Sequence, residues 1–518
     1  MNHYEAINDV LVNLFNEILD LEERALITGE YKNISVNDMH IINAVGIREQ
    51  KNMSTVAREL NVTVGTLTIA VNNLVKKGYI QRMRSQEDRR VVLISLTEQG
   101  KKAYYHHKDF HEKMVLAVLK RPKCGGDRGT DESSDQVAGI FQIISVEGVK
   151  MEYTEKDLVK IAKRENNTKR NYLVVDPLQG KHIPVVPSKA LDLFAALADT
   201  FREKYKDEKL LLVGFAETAT AIGAQAAITV GADYIQTTRE VIPGVNYLFF
   251  SEEHSHATEQ KLVKDDIDRA AAETDRIIFI EDEVTTGKTI RNIISILDRE
   301  YDGKFKYSVA SLLNGMSEEN LERYKRQGIS LYYLVKTDHS TYGDRAETFK
   351  GDGFYYKCPD KAAEYTTIYV KNRMDARRLI DSGKYEEACE NLWREIREKT
   401  GNMADNISGK RILVIGTEEF MFPALYIGRK MEKEGAEVRC HSTTRSPIAV
   451  SLEKEYPLHS RYELKSLYDP DRRTFIYDIG KYDKVLIVTD SPEIKESQET
   501  LINAVRMQNK DITVVRWC

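Results

Sequence analysis

The feature that most constrains the fold of this chain is an alternation of short apolar runs with amphipathic stretches between residues 151 and 359. The amphipathic stretches have helical periodicity, and the apolar runs have the length of strands: Tyr172–Val175, Leu210–Gly214, Arg276–Ile280 and Tyr307–Leu312. Strands that are separated by helices pair in parallel, because each crossover helix returns the chain to the same edge of the sheet. The pattern therefore predicts an α/β domain with a parallel sheet at residues 151–359.

The segments on either side of this block have different patterns. Residues 1–120 are mostly helical with one short hairpin, which predicts an α+β domain. Residues 121–150 carry Pro, Gly and charge without a period and predict a linker. Residues 360–408 are polar and predict a helical connector. Residues 409–518 predict a second, smaller α/β domain with strands at Arg411–Gly416, Val485–Asp490 and Ile512–Trp517.

The composition excludes several classes of protein. With 42% hydrophobic and 30% charged residues, the chain of 518 residues is globular rather than disordered. No apolar run approaches the ~18 residues of a membrane helix, and the first residues lack the pattern of a signal peptide. The five cysteines form no CxxC pair, which favours reduced thiols in a cytoplasmic protein over disulfides or a zinc site. No metal ligands are assigned from the sequence.

A helix-turn-helix pattern lies within the first of these segments. Met53–Leu60 is a short amphipathic helix, and Thr63 can cap a second helix at residues 65–77. The second helix exposes small polar side chains that can reach base edges in the major groove of DNA. These candidate DNA-binding residues are Thr66, Thr68, Asn72 and Asn73.

A hairpin with a polar tip follows the second helix. Its strands are predicted at residues 79–82 and 91–96, and its tip spans residues 85–90. Such a wing can offer arginines to the minor groove or to phosphates, and basic side chains are concentrated on this side of the domain. The candidate DNA-binding residues here are Arg84, Asp88, Arg89 and Arg90.

Residues 1–120 resemble the MarR family of winged-helix regulators, and in particular the branch that represses fatty-acid synthesis genes in Gram-positive bacteria. The resemblance rests on residues 52–100, in which Ser85, Asp88 and Arg89 fall where the family has its wing motif. It implies a homodimer on a palindromic double-stranded DNA operator, with an acyl carrier or a small molecule as effector. The alternative is a generic helical bundle with a hairpin.

Residues 121–150 have two open interpretations. MarR-type regulators dimerise through their first and last helices, but no final helix follows the predicted helix Lys101–Leu119. When Arg121–Gln142 is back-translated and read one base out of frame, permitted codons can encode an amphipathic helix. The codons before Met151 can also form a ribosome-binding sequence. The segment is therefore either a genuine linker or a frameshifted seam between two adjacent genes.

The most informative stretch of the chain is IIFIEDEVTTGKT at residues 277–289. An apolar strand runs into Glu281 and Asp282, whose carboxylates can accept hydrogen bonds from ribose hydroxyls at the end of a strand. A Thr/Gly turn then opens a helix, where backbone N–H groups and hydroxyls can hold a phosphate. The spacing differs from that of a Walker loop. The candidate phosphate ligands are Thr285, Thr286, Gly287, Lys288 and Thr289.

This stretch resembles the phosphoribosyl-pyrophosphate (PRPP) motif of type I phosphoribosyltransferases. It departs from the family at Glu283, where an aliphatic residue is usual, so a third carboxylate is available to hold metal or to favour an unusual acceptor. The resemblance implies Mg²⁺-assisted displacement at C1 of the ribose, with PRPP and an unknown acceptor as substrates and loss of pyrophosphate. Glu281 and Asp282 are then candidate catalytic residues.

Further segments match the same family. Gly214–Thr220 follows a strand where the family has its pyrophosphate loop, and Arg239 follows another strand and could offset pyrophosphate charge. Residues 251–257 are polar and resemble the flexible lid over the reacting centre. His254 and His256 on this stretch are candidates for catalysis or phosphate contact, or are surface histidines. The candidate ligands in the pyrophosphate loop are Ala216, Glu217 and Thr218.

Two segments of the C-terminal block echo these loops. Gly416–Pro423 follows a strand as Gly214–Thr220 does, and His441–Pro447 echoes Thr237–Arg239. Residues 151–518 together resemble phosphoribosyltransferases with a C-terminal TRSP domain from bacterial tellurite-resistance and stress-response gene clusters. The hydroxyls and the arginine indicate either structural loops or a second anion site formed by Thr417, Glu418, Thr443 and Arg445.

The sequence leaves two functions open. One is a DNA-binding regulator fused to a PRPP-dependent phosphoribosyltransferase. The other is a transcriptional repressor whose transferase-like domain only senses a nucleotide ligand. The Glu281/Asp282 pair and the predicted lid favour an active site, although ligand binding alone would also need the two carboxylates.

Overall fold

The chain folds into two compact units, Met1–Glu152 and Tyr153–Cys518, which are described one at a time. The structure, a computed structural model, describes residues 26–27, 31–47, 50–60, 62–84, 92–119, 153–165, 170–250, 260–361, 364–400 and 407–518. The linker or seam predicted at residues 121–150 lies outside the described residues. Within the described ranges, no helix is long and apolar enough to cross a membrane.

The first unit is a winged helix-turn-helix domain, as the sequence predicts. Its strands pair antiparallel in the order β1-β3-β2. Thr63 caps the second helix of the motif, because its hydroxyl oxygen accepts the Thr66 N–H at 3.1 Å. The elements are α1 (Val36–Val45), β1 (Lys51–Asn52), α2 (Met53–Glu59), α3 (Val64–Lys76), β2 (Ile80–Arg84), β3 (Val92–Leu96) and α4 (Glu98–Leu119).

The second unit contains two parallel sheets covered by helices. Its helices are α5 (Glu155–Leu158), α6 (Pro187–Asp199), α7 (Thr220–Val230), α8 (Lys264–Ala271), α9 (Lys288–Glu300), α10 (Glu318–Arg326), α11 (Tyr342–Glu347), α12 (Ser382–Lys399), α13 (Phe422–Lys433) and α14 (Lys495–Arg506). Its first strands are β4 (Lys160–Lys163), β5 (Tyr172–Val175), β6 (Leu210–Gly214), β7 (Asp233–Gln236), β8 (Tyr247–Phe250), β9 (Gln260–Val263), β10 (Arg276–Val284), β11 (Lys306–Asn314) and β12 (Ser330–Lys336). The remaining strands are β13 (Phe354–Lys357), β14 (Thr366–Val370), β15 (Ile380–Asp381), β16 (Arg411–Gly416), β17 (Glu437–Ser442), β18 (Ser460–Lys465), β19 (Arg473–Tyr477), β20 (Lys484–Thr489) and β21 (Ile512–Trp517).

The first sheet has the strand order β12-β11-β10-β6-β7-β15 and is parallel up to its last strand, which pairs antiparallel with β7. Its central strands β6 and β10 are buried because their apolar runs are continuous rather than alternating, as in sheets covered on both faces. Both strands lie where the apolar runs predict them. The strand β10 continues through the acidic residues to Val284, so the carboxylates form the last part of the strand.

The second sheet repeats the plan of the first. Its order is β14-β21-β20-β16-β17, and all of its strands are parallel. In the first sheet, β6 leads through a loop and α7 to β7, and β10 and β11 lie on the other side of β6. In the second sheet, β16 leads through a loop and α13 to β17, and β20 and β21 lie on the other side of β16. The loops that echo each other in the sequence therefore occupy equivalent topological positions.

The segment at residues 360–408, predicted as a helical connector, contains strands as well as a helix. Thr366–Val370 forms β14 of the second sheet, because it is rich in β-branched residues and buries Ile368 and Val370 on one face. Ile380–Asp381 forms the edge strand of the first sheet, and only then does α12 begin. This segment therefore contributes one strand to each of the two sheets. Its polar composition gave no indication of these strands.

Candidate active site and DNA-binding surface

The turn after β10 opens a helix, as the sequence predicts. Gly287 has a φ of 62° and immediately precedes Lys288, the first residue of α9. A Cβ at this position would collide with the Tyr324 hydroxyl, which donates a hydrogen bond to the Gly287 carbonyl at 2.8 Å. Only glycine combines this positive φ with such a close approach. The turn that Gly287 allows places residues 285–289 at the N-terminus of α9, where backbone N–H groups can bind an anion.

Asp282 links this turn to the predicted pyrophosphate loop. The Thr218 side chain lies next to its carboxyl group, so the two motifs meet at one point of the sheet edge. Surrounding protein atoms, together with the charge of Glu283, raise the pKa of Asp282 to about 6. Glu281 is partly exposed beside it at the end of the same strand.

A second buried carboxyl at this point, Asp176, was missed by the sequence analysis. It follows β5 directly, and its Oδ1 accepts the Leu178 N–H at 2.7 Å, while its Oδ2 is buried without a hydrogen-bond partner. Burial raises the pKa of Asp176 to about 8, the Leu178 N–H opposes this rise, and the charge of Asp282 adds to it. Its position at the carboxyl end of an apolar strand was the signal that could have identified it.

The pyrophosphate loop is held from several sides. The Ala216 N–H donates to Thr237 Oγ1 at 2.8 Å, and the Thr218 carbonyl accepts from Gln179 Nε2 at 2.9 Å. Ala216 and Glu217 are joined by a cis peptide bond. The loop therefore lies next to the segment that begins at Thr237.

Glu217, assigned to this loop as a substrate ligand, is instead buried in an ion-pair network. Its Oε1 is 2.6 Å from Lys181 Nζ, and its Oε2 is 3.4 Å from Arg445 Nε. Although burial opposes the change, the charges of Lys181 and Arg445 lower the pKa of Glu217 to about 2. The geometry therefore favours a structural role for this carboxylate, because its neighbours are cations of the protein itself.

Glu283, suggested by the sequence as a metal ligand, is also paired with basic side chains. Its Oε2 is 2.6 Å from Arg170 Nη2, and its Oε1 is 3.2 Å from His339 Nε2. The departure from the family motif at this position therefore supplies an ion pair rather than a third carboxylate in the site.

The residues suggested as a second anion site are engaged with other protein groups. Arg445 contacts four carboxylates, those of Glu217, Glu418, Glu419 and Glu240. These charges raise the pKa of Arg445 although burial opposes the rise. Thr443 Oγ1 accepts the Glu418 N–H at 3.1 Å, and Thr417 Oγ1 is 2.9 Å from the Thr489 hydroxyl. This arrangement favours the structural interpretation of the loops, because an added anion would have to displace a carboxylate.

The loops Gly214–Thr220 and Gly416–Pro423 of the second unit each bind a segment from the other half through a carboxylate. Glu217 of the first sheet's loop accepts the Arg445 backbone N–H at 3.3 Å. Glu419 of the second sheet's loop accepts the Arg239 backbone N–H at 2.8 Å and the Thr238 hydroxyl at 2.7 Å. Glu217 thus binds the Thr-Thr-Arg segment at residues 443–445, and Glu419 binds the Thr-Thr-Arg segment at residues 237–239. The position of Arg239, a predicted pyrophosphate ligand, depends on the C-terminal half.

The helix α3 of the first unit presents a polar surface. Thr66, Asn72 and Asn73 are exposed, and Thr68 is partly exposed. Arg84 at the end of β2 is exposed too, whereas Asp88, Arg89 and Arg90 lie outside the described residues, as do His254 and His256. Ile69, which the sequence analysis did not single out, is 67% exposed on the same helix. An exposed isoleucine among these polar side chains can contact a thymine methyl group.

Comparisons with known proteins match three parts of the chain. The family described as transcriptional regulator SarA/Rot matches residues 26–105, the phosphoribosyl transferase family PRTase_2 matches residues 158–341, and the TRSP domain C-terminal to PRTase_2 matches residues 382–505. The uncharacterized HTH-type transcriptional regulator YpoP of Bacillus subtilis is 34% identical over 115 residues, which cover 22% of this chain and 72% of YpoP. The chain belongs to the HTH-type transcriptional regulators. In this regulator, the DNA-binding fold is fused to a phosphoribosyltransferase domain and a TRSP domain, as the sequence predicts.

Other relatives of this HTH-type regulator match shorter stretches. The HTH-type transcriptional regulator SarZ of Staphylococcus haemolyticus is 43% identical over 60 residues, which cover 12% of this chain and 41% of SarZ. Streptococcus pneumoniae FabT, solved in complex with DNA, is 37% identical to the matching part of this chain. The match covers 97% of FabT and 27% of this chain, with a TM-score of 0.22. Adenine phosphoribosyltransferase from Rhodothermus marinus is 14% identical and is covered over 96% of its length, with 35% of this chain and a TM-score of 0.26.

Proposed function

We propose that the phosphoribosyltransferase domain binds PRPP together with Mg²⁺ and transfers the phosphoribosyl group to an acceptor, with release of pyrophosphate. The observation that carries this proposal is the contact between Asp282 and Thr218, which joins the predicted ribose and pyrophosphate subsites. Carboxylates at the end of a parallel strand, beside a helix N-terminus, suit a sugar phosphate.

The donor set fits Mg²⁺, which binds through one or two carboxylates and substrate phosphates and keeps several waters. Glu281 and Asp282 offer those oxygens, and the ion would neutralise charge on the leaving pyrophosphate. In this mechanism the two carboxylates orient the ribose hydroxyls, and the turn at residues 285–289 holds the 5′-phosphate. Ala216 and Thr218 hold the pyrophosphate, with Arg239 nearby. Catalysis then consists mainly of positioning and of electrostatic stabilisation of the leaving group.

We expect the full chain to release pyrophosphate from PRPP in the presence of Mg²⁺ and a suitable base, and Asp282→Asn to lower this turnover by about 100-fold or more, since it removes one of two ribose-binding carboxylates. Pyrophosphate release against a panel of bases measures the effect. Asp302→Asn is the matched control, because Asp302 is exposed and has a φ of 51°, which asparagine tolerates.

The same assay separates the two functions. Binding of PRPP without release of pyrophosphate for any base would leave the ligand-sensing repressor as the function of this domain. A wild-type chain that neither binds nor cleaves PRPP would contradict both. Equal turnover of the wild type and Asp282→Asn would contradict the assignment of the site.

We also propose that the first unit binds an operator in double-stranded DNA as a homodimer, with an acyl carrier or small molecule as effector. The exposed polar side chains of α3 and the basic residues at the wing support this proposal, because such side chains contact base edges and phosphates. FabT, a relative in this part of the chain, was solved in complex with DNA.

Asn72→Ala is expected to weaken binding of the full chain to DNA from the region upstream of its gene by about 10-fold or more, because a base contact of this kind is worth ~1–3 kcal/mol. Fluorescence anisotropy at several salt concentrations measures the affinity, which should fall steeply with salt. Asn43→Ala is the control, since Asn43 is exposed on α1 and outside the helix-turn-helix motif. Salt-independent affinity, or equal effects of the two substitutions, would contradict the proposed surface.

A further inference from the structure

Three histidines of the first unit converge between α1 and α4. His40 lies on α1, and His107 and His111 lie one turn apart on α4. One ring nitrogen from each lies within 4.8 Å of the others, and the Nε2 atoms of His107 and His111 are 3.2 Å apart. His107 is buried, and the other two are partly exposed. The cluster is therefore compact and reachable from solvent.

We propose that this histidine cluster binds a divalent transition metal ion, with Zn²⁺ as the ion that fits it best. Neutral imidazole nitrogen is a ligand that Zn²⁺ favours, whereas Mg²⁺ prefers oxygen. Two nitrogens at ~2.05 Å from a tetrahedral zinc are about 3.3 Å apart, close to the separation of His107 and His111. A modest rotation of the His40 side chain completes a set of three nitrogens and leaves one position for water or a further ligand.

The metal site joins two helices that are distant in the sequence. A spacing of four residues places His107 and His111 on one face of α4, and α1 brings His40 to that face. The helix α1 also contacts α2 and α3, the two helices of the helix-turn-helix motif. Occupation of the cluster therefore fixes α4 against the part of the unit on which the motif rests. A metal-free hydrogen bond between His107 and His111 is the alternative, in which one ring nitrogen donates to the other.

The test is a competition titration of the full chain with Zn²⁺ against a chromophoric chelator, with Mg²⁺ in excess to occupy oxygen sites. We expect tight binding at the cluster, and we expect His40→Gln and His111→Gln each to weaken it by about 100-fold or more. His106→Gln is the matched control, because His106 is adjacent on α4 and its ring stacks on Tyr31 at 4.9 Å instead of joining the cluster. The control should keep the affinity of the wild type.

Co²⁺ gives a second measurement that does not depend on the variants. Its visible spectrum in the wild type should have the intense bands of a tetrahedral site with nitrogen ligands, and these bands should be lost in His111→Gln. Circular dichroism of the metal-free His40→Gln and His111→Gln variants checks that each substitution leaves the fold intact. The proposal is overturned if the affinity for Zn²⁺ is the same in wild type and in the His40→Gln/His111→Gln double variant. A Co²⁺ spectrum typical of octahedral oxygen ligands would also overturn it.

Discussion

Replacing Arg445 with methionine is expected to destabilise the second unit by about 3–5 kcal/mol, because the change leaves buried carboxylates without their cation. The side chain of Arg445 is 11% exposed, and its Nε lies 2.8 Å from Glu418 Oε2. Methionine has a similar length and fills much of the same volume, so loss of charge and hydrogen bonds dominates the effect. The carboxylates that lose this partner are those of Glu217, Glu240, Glu418 and Glu419.

Urea unfolding followed by tryptophan fluorescence measures this effect in the full chain. Trp393 and Trp517 are the two tryptophans of the sequence, and both are buried in the second unit. Arg473→Met on β19 is the control, because Arg473 is 58% exposed and its ion pair with Glu463 spans 3.6 Å. Such a surface pair is worth at most ~1 kcal/mol. Equal losses for the two variants would show that the Arg445 network adds little to stability.

The same network connects the C-terminal half to the loop Gly214–Thr220. Glu217 precedes Thr218, whose side chain lies next to Asp282, and Arg445 holds Glu217 from the other half. Glu419 holds Thr238 and the Arg239 backbone in return. A loop that is fixed by several buried contacts holds its binding groups in place before the substrate arrives. No conformational entropy of the loop is then lost when the substrate binds. The C-terminal half therefore supports the loop Gly214–Thr220 structurally.

The local patterns of the sequence were enough to predict the central elements of both units. The apolar run Leu210–Gly214 forms β6 at the predicted bounds, and Thr63 caps α3, because a strand pattern and a cap depend only on neighbouring residues. The same holds for Gly287, whose Thr/Gly context indicates the turn before α9. These features are encoded over a few residues and survive in any tertiary surroundings.

The partners of the charged residues could not be predicted in this way. Glu217 and Arg445 are 228 positions apart, and no local pattern relates them. The sequence places each of them correctly on a loop after a strand, but a carboxylate or an arginine there suits a ligand and an ion pair equally well. Only the packing of the two halves against each other decides between these roles.

The second large prediction concerns Asp176, whose protonation should make the stability of the second unit depend on pH. Its pKa is raised from 3.8 to about 8 by burial, so the folded state holds a proton that the unfolded state has released above pH ~4. The contribution to stability is present below the unfolded pKa and is lost as pH rises through the folded pKa. Between about pH 5 and about pH 9 this loss amounts to ~4 kcal/mol at ~1.4 kcal/mol per pKa unit.

Asp176→Asn should remove most of this pH dependence, because the amide keeps the size of the side chain and cannot ionise. Urea midpoints from tryptophan fluorescence across this pH range measure it, with Asp302→Asn as the exposed control. Asp282, with a pKa of about 6, contributes in the same direction and remains in both chains. The lowered pKa of Glu217, about 2, affects stability only below pH ~4.5 and so lies outside the window. Parallel pH profiles for the wild type and Asp176→Asn would contradict the prediction.

The proton that the Asp176 carboxyl holds near pH 7 also affects the proposed binding of PRPP. A carboxyl that stays neutral near pH 7 can donate a hydrogen bond to an anion, whereas the ionised form repels it. PRPP brings several negative charges toward Asp176, and these charges favour its protonated carboxyl further. The affinity of the wild type for PRPP should therefore fall as pH rises above about 8, where the free folded protein has lost this proton. In Asp176→Asn this decline should be weaker, because the amide can donate a hydrogen bond at every pH.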